Sequence, residues 1–126
     1  MRGYALLVLR VILGLIFIYH GWGKVVEPAG AMGFFSSLGL PSFLAPIVGV
    51  VEVGGGLMMI FGLFARPAAT ALLVVIAGAL ILVQFPAGIR AQLERDLLIA
   101  AALLTVIAHG PGALALRRTQ QPAPSD

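Results

Sequence analysis

Arg10-Val11-Ile12-Leu13-Gly14-Leu15-Ile16-Phe17-Ile18-Tyr19-His20-Gly21-Trp22-Gly23-Lys24 is the stretch that decides how this chain folds. From Tyr4 to Trp22 the sequence is almost wholly apolar, enough for a helix to cross a bilayer. Yet Arg10 lies inside the span, and a His-Gly-x-Gly-Lys cluster closes it. A charge in hydrocarbon costs at least ~2.5 kcal/mol, so Arg10 needs a partner or a water-filled cavity. At helical spacing Arg10, Gly14, Phe17, Gly21 and Lys24 share one stripe, and the two glycines let another helix approach it closely. His20 sits one turn before Lys24, beside that stripe.

The rest of the composition agrees with a lipid environment. Of 126 residues, 60% are hydrophobic and 10% charged, with a mean hydropathy of +1.07. A soluble domain this small cannot hide so much apolar surface, so the solvent is lipid. The net charge of +3 is no nucleic-acid footprint, because no basic run is interleaved with aromatics. With no cysteine, the chain makes no disulfide, holds no thiolate metal and does no thiol chemistry of its own. A signal-peptide reading would take Arg2 as its basic end and Ala29-Gly30-Ala31 as its cleavage site. Arg10 in the core of the stretch and three further hydrophobic spans argue against it.

Four membrane spans are predicted, giving an all-α, integral membrane four-helix bundle. They are Tyr4–Trp22, Phe43–Phe64, Pro67–Phe85 and Ala91–His109. Pro46 and Pro67 suit first helical turns, and Pro86 marks a stop. The fourth span is the least clean, since Glu94, Arg95 and Asp96 crowd its entrance, at the interface or turned toward protein. A short loop at Ala65–Arg66 makes the second and third spans a hairpin. Between the first two spans, Ala31, Phe34, Phe35 and Leu38 form an apolar stripe closed by Gly39 and Pro41. It is read as a short interfacial helix, or equally as a lid on a pocket. The domain is expected to fill residues 1–116, with Gly110-Pro111-Gly112 closing the fourth span and a disordered polar tail over 117–126. Arg2, Arg66, Arg117 and Arg118 against Lys24, Arg90 and Arg95 bias both termini to the cytoplasm.

Antiparallel spans at ~1.5 Å per residue put Arg10 about 18 Å below the outer end of its helix, and Glu52 about 12–14 Å below its own. An Arg10–Glu52 ion pair is the first expectation, with Asp96 nearer His20 and Lys24. The expected polar cluster is therefore Arg10, His20, Lys24, Glu52 and Asp96. In one reading it lines a cavity that binds a small polar or quinoid molecule or relays protons, with His20 as the group titrating near neutral pH. In the other, Arg10–Glu52 staples helices in register and His20 caps carbonyls. Both stay open. No metal-ligand spacing occurs, and His109 falls at the opposite face from His20. Tyr4, Tyr19 and Trp22 read as interfacial anchors. Gly54-Gly55-Gly56 reads as a packing surface continued by Gly62 rather than a phosphate loop. Met58 and Met59 read as core, Gln84 as a further pocket wall, and Arg117–Arg118 as a stop-transfer anchor.

These pieces, in this order, resemble the DoxX family of small bacterial four-helix membrane proteins. The resemblance rests on Leu9-Arg10, His20-Gly21 and Lys24; on Leu38-Gly39-Leu40-Pro41; on Glu52 followed by Gly55-Gly56; and on Gly62-Leu63-Phe64-x-Arg66 and Gly110-Pro111-Gly112. Asp96 stands, more loosely, for an acidic residue early in the fourth helix. The resemblance implies a bacterial inner-membrane protein tied to redox systems, since relatives include membrane subunits of thiosulfate:quinone oxidoreductase. The leading expectation is a subunit that anchors a partner enzyme and binds quinone beside His20, Lys24 and Glu52. With no cysteine and no haem or flavin motif, the electrons would travel on the quinone or the partner. The competitors are a helix scaffold without chemistry and a small-solute transporter or channel. The few polar side chains in the lower halves of spans two to four weigh against the transporter. Homo-oligomerisation through glycine faces is a further expectation.

Overall fold

The computed structural model describes residues 2–84, 86 and 90–110. Among them all regular structure is helical: α1 (Arg2–Val26), α2 (Pro28–Ser37), α3 (Leu44–Phe61), α4 (Ala65–Ala79), a π-helical turn (Leu80–Gln84) and α5 (Arg90–His109). The expected boundary at 116, the 117–126 tail, the Arg117–Arg118 anchor, the Pro111-Gly112 stop and the side chain of Gln84 lie outside the residues described.

Local chemistry sets the helix ends. α1 runs to Val26 because nothing before Pro28 breaks it. Proline then disfavours the helical conformation for the residue before it, and Glu27 sits at φ −130°, ψ 77°. Pro28 opens α2, where its missing N–H costs no helical bond. Gly39, at φ 81°, closes α2, with Leu40 donating back to the Phe35 carbonyl at 3.0 Å. Gly62, at φ 70°, ends α3 in the same way, and Leu63 donates to the Met58 carbonyl at 2.9 Å. The α3–α4 turn therefore falls at Gly62–Phe64, not at Ala65–Arg66. Those two residues already belong to α4, and Phe64 takes the left-handed φ of 51° that reverses the chain. Gly62 is buried at that end of α3.

Gly3–Val26, Leu44–Phe61 and Ala65–Val83 are long and apolar enough to cross a membrane. α5 is 20 residues long but carries Glu94, Arg95 and Asp96 in its first half. α1 and α3 form the closest pair; α3 also packs on α4, α4 on α5, and α2 on α1 and α3. Leu13, Phe17, Met59, Leu72, Leu103 and Val106 fill the core. Tyr4, Val8, Ile12, Leu15, Tyr19 and Trp22 point outward along one face of α1. An exposed apolar face of that length fits lipid contact, not water. Met59 is core as expected, whereas Met58 is exposed.

Candidate functional site

Glycine crossings set the register of α1 against α3. A Cβ on Gly14 would lie 2.5 Å from the Gly56 carbonyl, and one on Gly49 would lie 2.6 Å from Cβ of Lys24. A Cβ on Gly21 would meet Cβ of Glu52 at 2.7 Å and the Gly49 carbonyl at 2.8 Å. The backbones touch only because these side chains are absent. Gly14 opposite Gly56 and Gly21 opposite Gly49 make the two helices antiparallel. Side chains lean toward the N-terminus of their own helix, so Lys24 and Glu52 lean toward each other across the crossing.

The resulting ion pair is Lys24 Nζ to Glu52 Oε1 at 2.7 Å. Lys24 also donates to the His20 carbonyl, one turn back in α1, at 3.3 Å. The expected Arg10–Glu52 pair does not form. In this register Arg10 lies opposite residue 60, about two turns or roughly 12 Å from the level of Glu52. Arg10 is fully buried, and its NH1 donates to the Met59 carbonyl at 3.3 Å.

A cavity of about 450 Å³ opens beside the Lys24–Glu52 pair, within the 300–1,000 Å³ range of small-molecule sites. Its walls are mainly apolar: Ile16 and Phe17 of α1, Val48 of α3, Val75 and Leu82 of the α4 region, and Ile99 of α5. Ala31, Phe34, Phe35 and Leu38, the stripe expected to lie on the membrane or cap a pocket, line it from α2. His20, Lys24, Glu52, Arg95 and Asp96 supply its polar wall. Four of the five expected site residues therefore share one cavity, and Arg10 is not among its lining.

Asp96 is 2% exposed. It faces inward because Asp96, Ile99, Leu103 and Val106 share the buried face of α5. Its Oδ1 accepts from Nε of Arg95 at 3.1 Å, with the Arg95 side chain 46% exposed. His20 is exposed at the residue level but borders the cavity. Its Nδ1 lies 2.8 Å from the Ile16 carbonyl. A carbonyl only accepts, so Nδ1 carries the proton, and the neutral ring offers Nε2 as an acceptor. Among the described residues no group of three or more His, Asp or Glu is placed to hold a metal ion.

Arg95 and the π turn are the parts that sequence reading missed. Arg95 reads as interfacial, but it partners Asp96 and borders the cavity. The π turn follows Gly78 and Ala79, which line the cavity, and contributes Leu82 and Val83 to its wall. Single π turns interrupting α-helices are frequent at functional sites.

The class so defined is a small helical membrane protein with an apolar cavity headed by paired charges. The chain belongs to the DoxX family, whose model matches residues 5–84. That span contains Arg10, His20, Lys24 and Glu52, while Asp96 falls outside it. The chain is 36% identical over 110 residues to a Bacillus subtilis protein named "Putative oxidoreductase CatD", covering 87% of this chain and 82% of that one. It is 33% identical over 115 residues to the Escherichia coli "Inner membrane protein YqjF", covering 89% and 88%. To the Mycobacterium tuberculosis "Uncharacterized membrane protein Rv3486" it is 30% identical over 126 residues, covering 87% and 77%. No solved structure matches it.

Proposed function

We propose that this protein is a subunit of a redox system in the bacterial cytoplasmic membrane, anchoring a partner enzyme and binding quinone in its cavity. The observation that carries the reading is the cavity itself. Its apolar walls suit a ring with an aliphatic tail, while His20, Lys24, Glu52 and Asp96 in its lining offer polar groups to meet ligand oxygens. The oxidoreductase name of the Bacillus subtilis relative and the inner-membrane name of an Escherichia coli one support the setting.

In this reading α5 is the fourth span and the protein is a four-helix transmembrane bundle. Nε of Arg66 at the start of α4 donates to the Ile107 carbonyl at the end of α5, at 3.0 Å. α5 therefore returns to the end of the molecule where α4 begins, as a fourth crossing requires. α2 is the interfacial helix between the first two spans, and both termini are cytoplasmic.

The test is native mass spectrometry of protein extracted with its own lipids, followed by back-titration with quinone. A stoichiometric quinone, reduced in occupancy by His20→Ala and Ala31→Trp, is the expected result. A bound quinone whose headgroup lies away from His20, Lys24 and Glu52 overturns the assignment. The Lys24–Glu52 pair also favours a second reading, a helix scaffold held in register by that bond. Loss of electron transfer in Glu52→Gln, with thermal stability and partner binding retained, eliminates the scaffold.

A further inference from the structure

The hydrogen-bonding valences left over at the polar wall determine which oxidation state suits the cavity. Glu52 uses Oε1 on Lys24 and Asp96 uses Oδ1 on Arg95. Within the described residues Oε2 of Glu52 and Oδ2 of Asp96 make no hydrogen bond, although their residues are 5% and 2% exposed. With Nδ1 of His20 donating to the Ile16 carbonyl, Nε2 is an acceptor whenever the ring is neutral. These acceptors come from α1, α3 and α5, and all three residues line the cavity. The donors beside them belong to Lys24 and Arg95, each already bonded to one of the carboxylates.

An oxidised quinone presents two carbonyl oxygens, which only accept. Set against this wall, they take hydrogen bonds from Lys24 or Arg95. The second oxygens of two buried carboxylates then face ligand acceptors with no proton between them. A hydroquinone presents two hydroxyls, each both donor and acceptor. Each hydroxyl can satisfy both halves of one ion pair, donating to the carboxylate and accepting from its cation. A donor left out of such a wall is costly because the buried acceptors stay unsatisfied.

We propose that the cavity selects the reduced, dihydroxy form of a membrane quinone over the oxidised form, with Glu52, Asp96 and His20 as the specificity-determining acceptors. This rests on the quinone-binding reading above and adds the oxidation state that the site holds. It makes the chain a quinol site, so the partner reaction is one that withdraws electrons from quinol or delivers quinol to the membrane pool.

The test is direct binding of a decyl-chain benzoquinone and of its hydroquinone to the full chain in lipid nanodiscs, under oxidising and reducing conditions. The hydroquinone is expected to bind at least tenfold tighter. Binding of the reduced form raises the midpoint of the bound two-electron couple, by roughly 30 mV for each tenfold. In Asp96→Asn the preference should fall to about threefold or less, because an amide can turn a donor toward a carbonyl. Equal affinity for both forms, or tighter quinone binding, overturns the proposal and leaves quinone binding itself intact. If neither form binds up to its solubility limit, the quinone-binding reading fails as well.

Discussion

At the residue scale, backbone proximity is the critical quantity. The Cβ of a Gly14→Ala side chain would sit 2.5 Å from the Gly56 carbonyl, and a carbonyl in α3 cannot rotate out of the way. That substitution should destabilise by about 1–3 kcal/mol, seen as a lower Tm in detergent. Gly54 lies on the same helix as Gly56, but a Cβ added there would meet nothing within 4 Å. Gly54→Ala should therefore be neutral, or stabilising by up to ~1 kcal/mol through helix propensity. Equal losses at both positions would mean that the α1–α3 contact is looser than its geometry implies. Lys24 and Glu52 make the second residue-scale case. Lys24→Met leaves a carboxylate buried without its cation and should cost about 2–3 kcal/mol. That is less than a fully enclosed pair, since Lys24 keeps some solvent exposure. The double variant Lys24→Met/Glu52→Gln should be more stable than the sum of the single losses by ~1 kcal/mol or more. Strict additivity in the thermal-melt cycle would show that the two side chains are not coupled.

At the element scale, pairing of helices explains both what was legible and what was not. The stripe Arg10, Gly14, Phe17, Gly21, Lys24 is the packed face of α1, as 3.6-residue periodicity requires. The Arg10–Glu52 pair failed because helix-end counting is a poor ruler when α1 continues to Val26 and α3 begins at Leu44. A better ruler lay in the sequence: Gly14 and Gly21 are seven apart, as are Gly49 and Gly56. Matching those two pairs antiparallel yields the register directly. It places Arg10 opposite residue 60 and Lys24 within reach of Glu52. The π turn had no comparable signal, since Leu-Ile-Leu-Val-Gln reads as ordinary apolar helix. α2 yields a prediction of its own. Ala31 lines the cavity from a short helix that contributes no buried residue to the core. Ala31→Trp should fill cavity volume and weaken quinone binding at least tenfold while shifting Tm by less than about 3 °C, within the effect of a ~1 kcal/mol change. Tight quinone binding by that variant would remove α2 from the cavity wall.

At the scale of the whole molecule, the number of crossings sets which ends share a compartment. The chain has no cysteine, so single introduced thiols report without background. With four crossings, Pro67→Cys at the α3–α4 end and Ala108→Cys at the end of α5 should react with an impermeant maleimide from the same side. Gly33→Cys on α2 should react from the other. Three crossings, with α5 lying outside the bilayer, would make Ala108→Cys label with Gly33→Cys. The Arg66–Ile107 hydrogen bond favours the first pattern, because it ties the end of α5 to the start of α4.

The sequence by itself determined the solvent and the family. Long apolar runs commit a chain to lipid whatever its neighbours do, since backbone groups in a bilayer must be satisfied within helices. The ordered pieces around Arg10, His20, Lys24 and Glu52 were enough to recognise the DoxX family. Only the tertiary structure decided which charges meet. Ion pairs form across a few ångströms, and hydrophobic periodicity specifies a helix's face but leaves its axial position against a neighbour free. That position is set where α1 and α3 touch backbone to backbone, and the glycine contacts there bring Lys24, not Arg10, to Glu52.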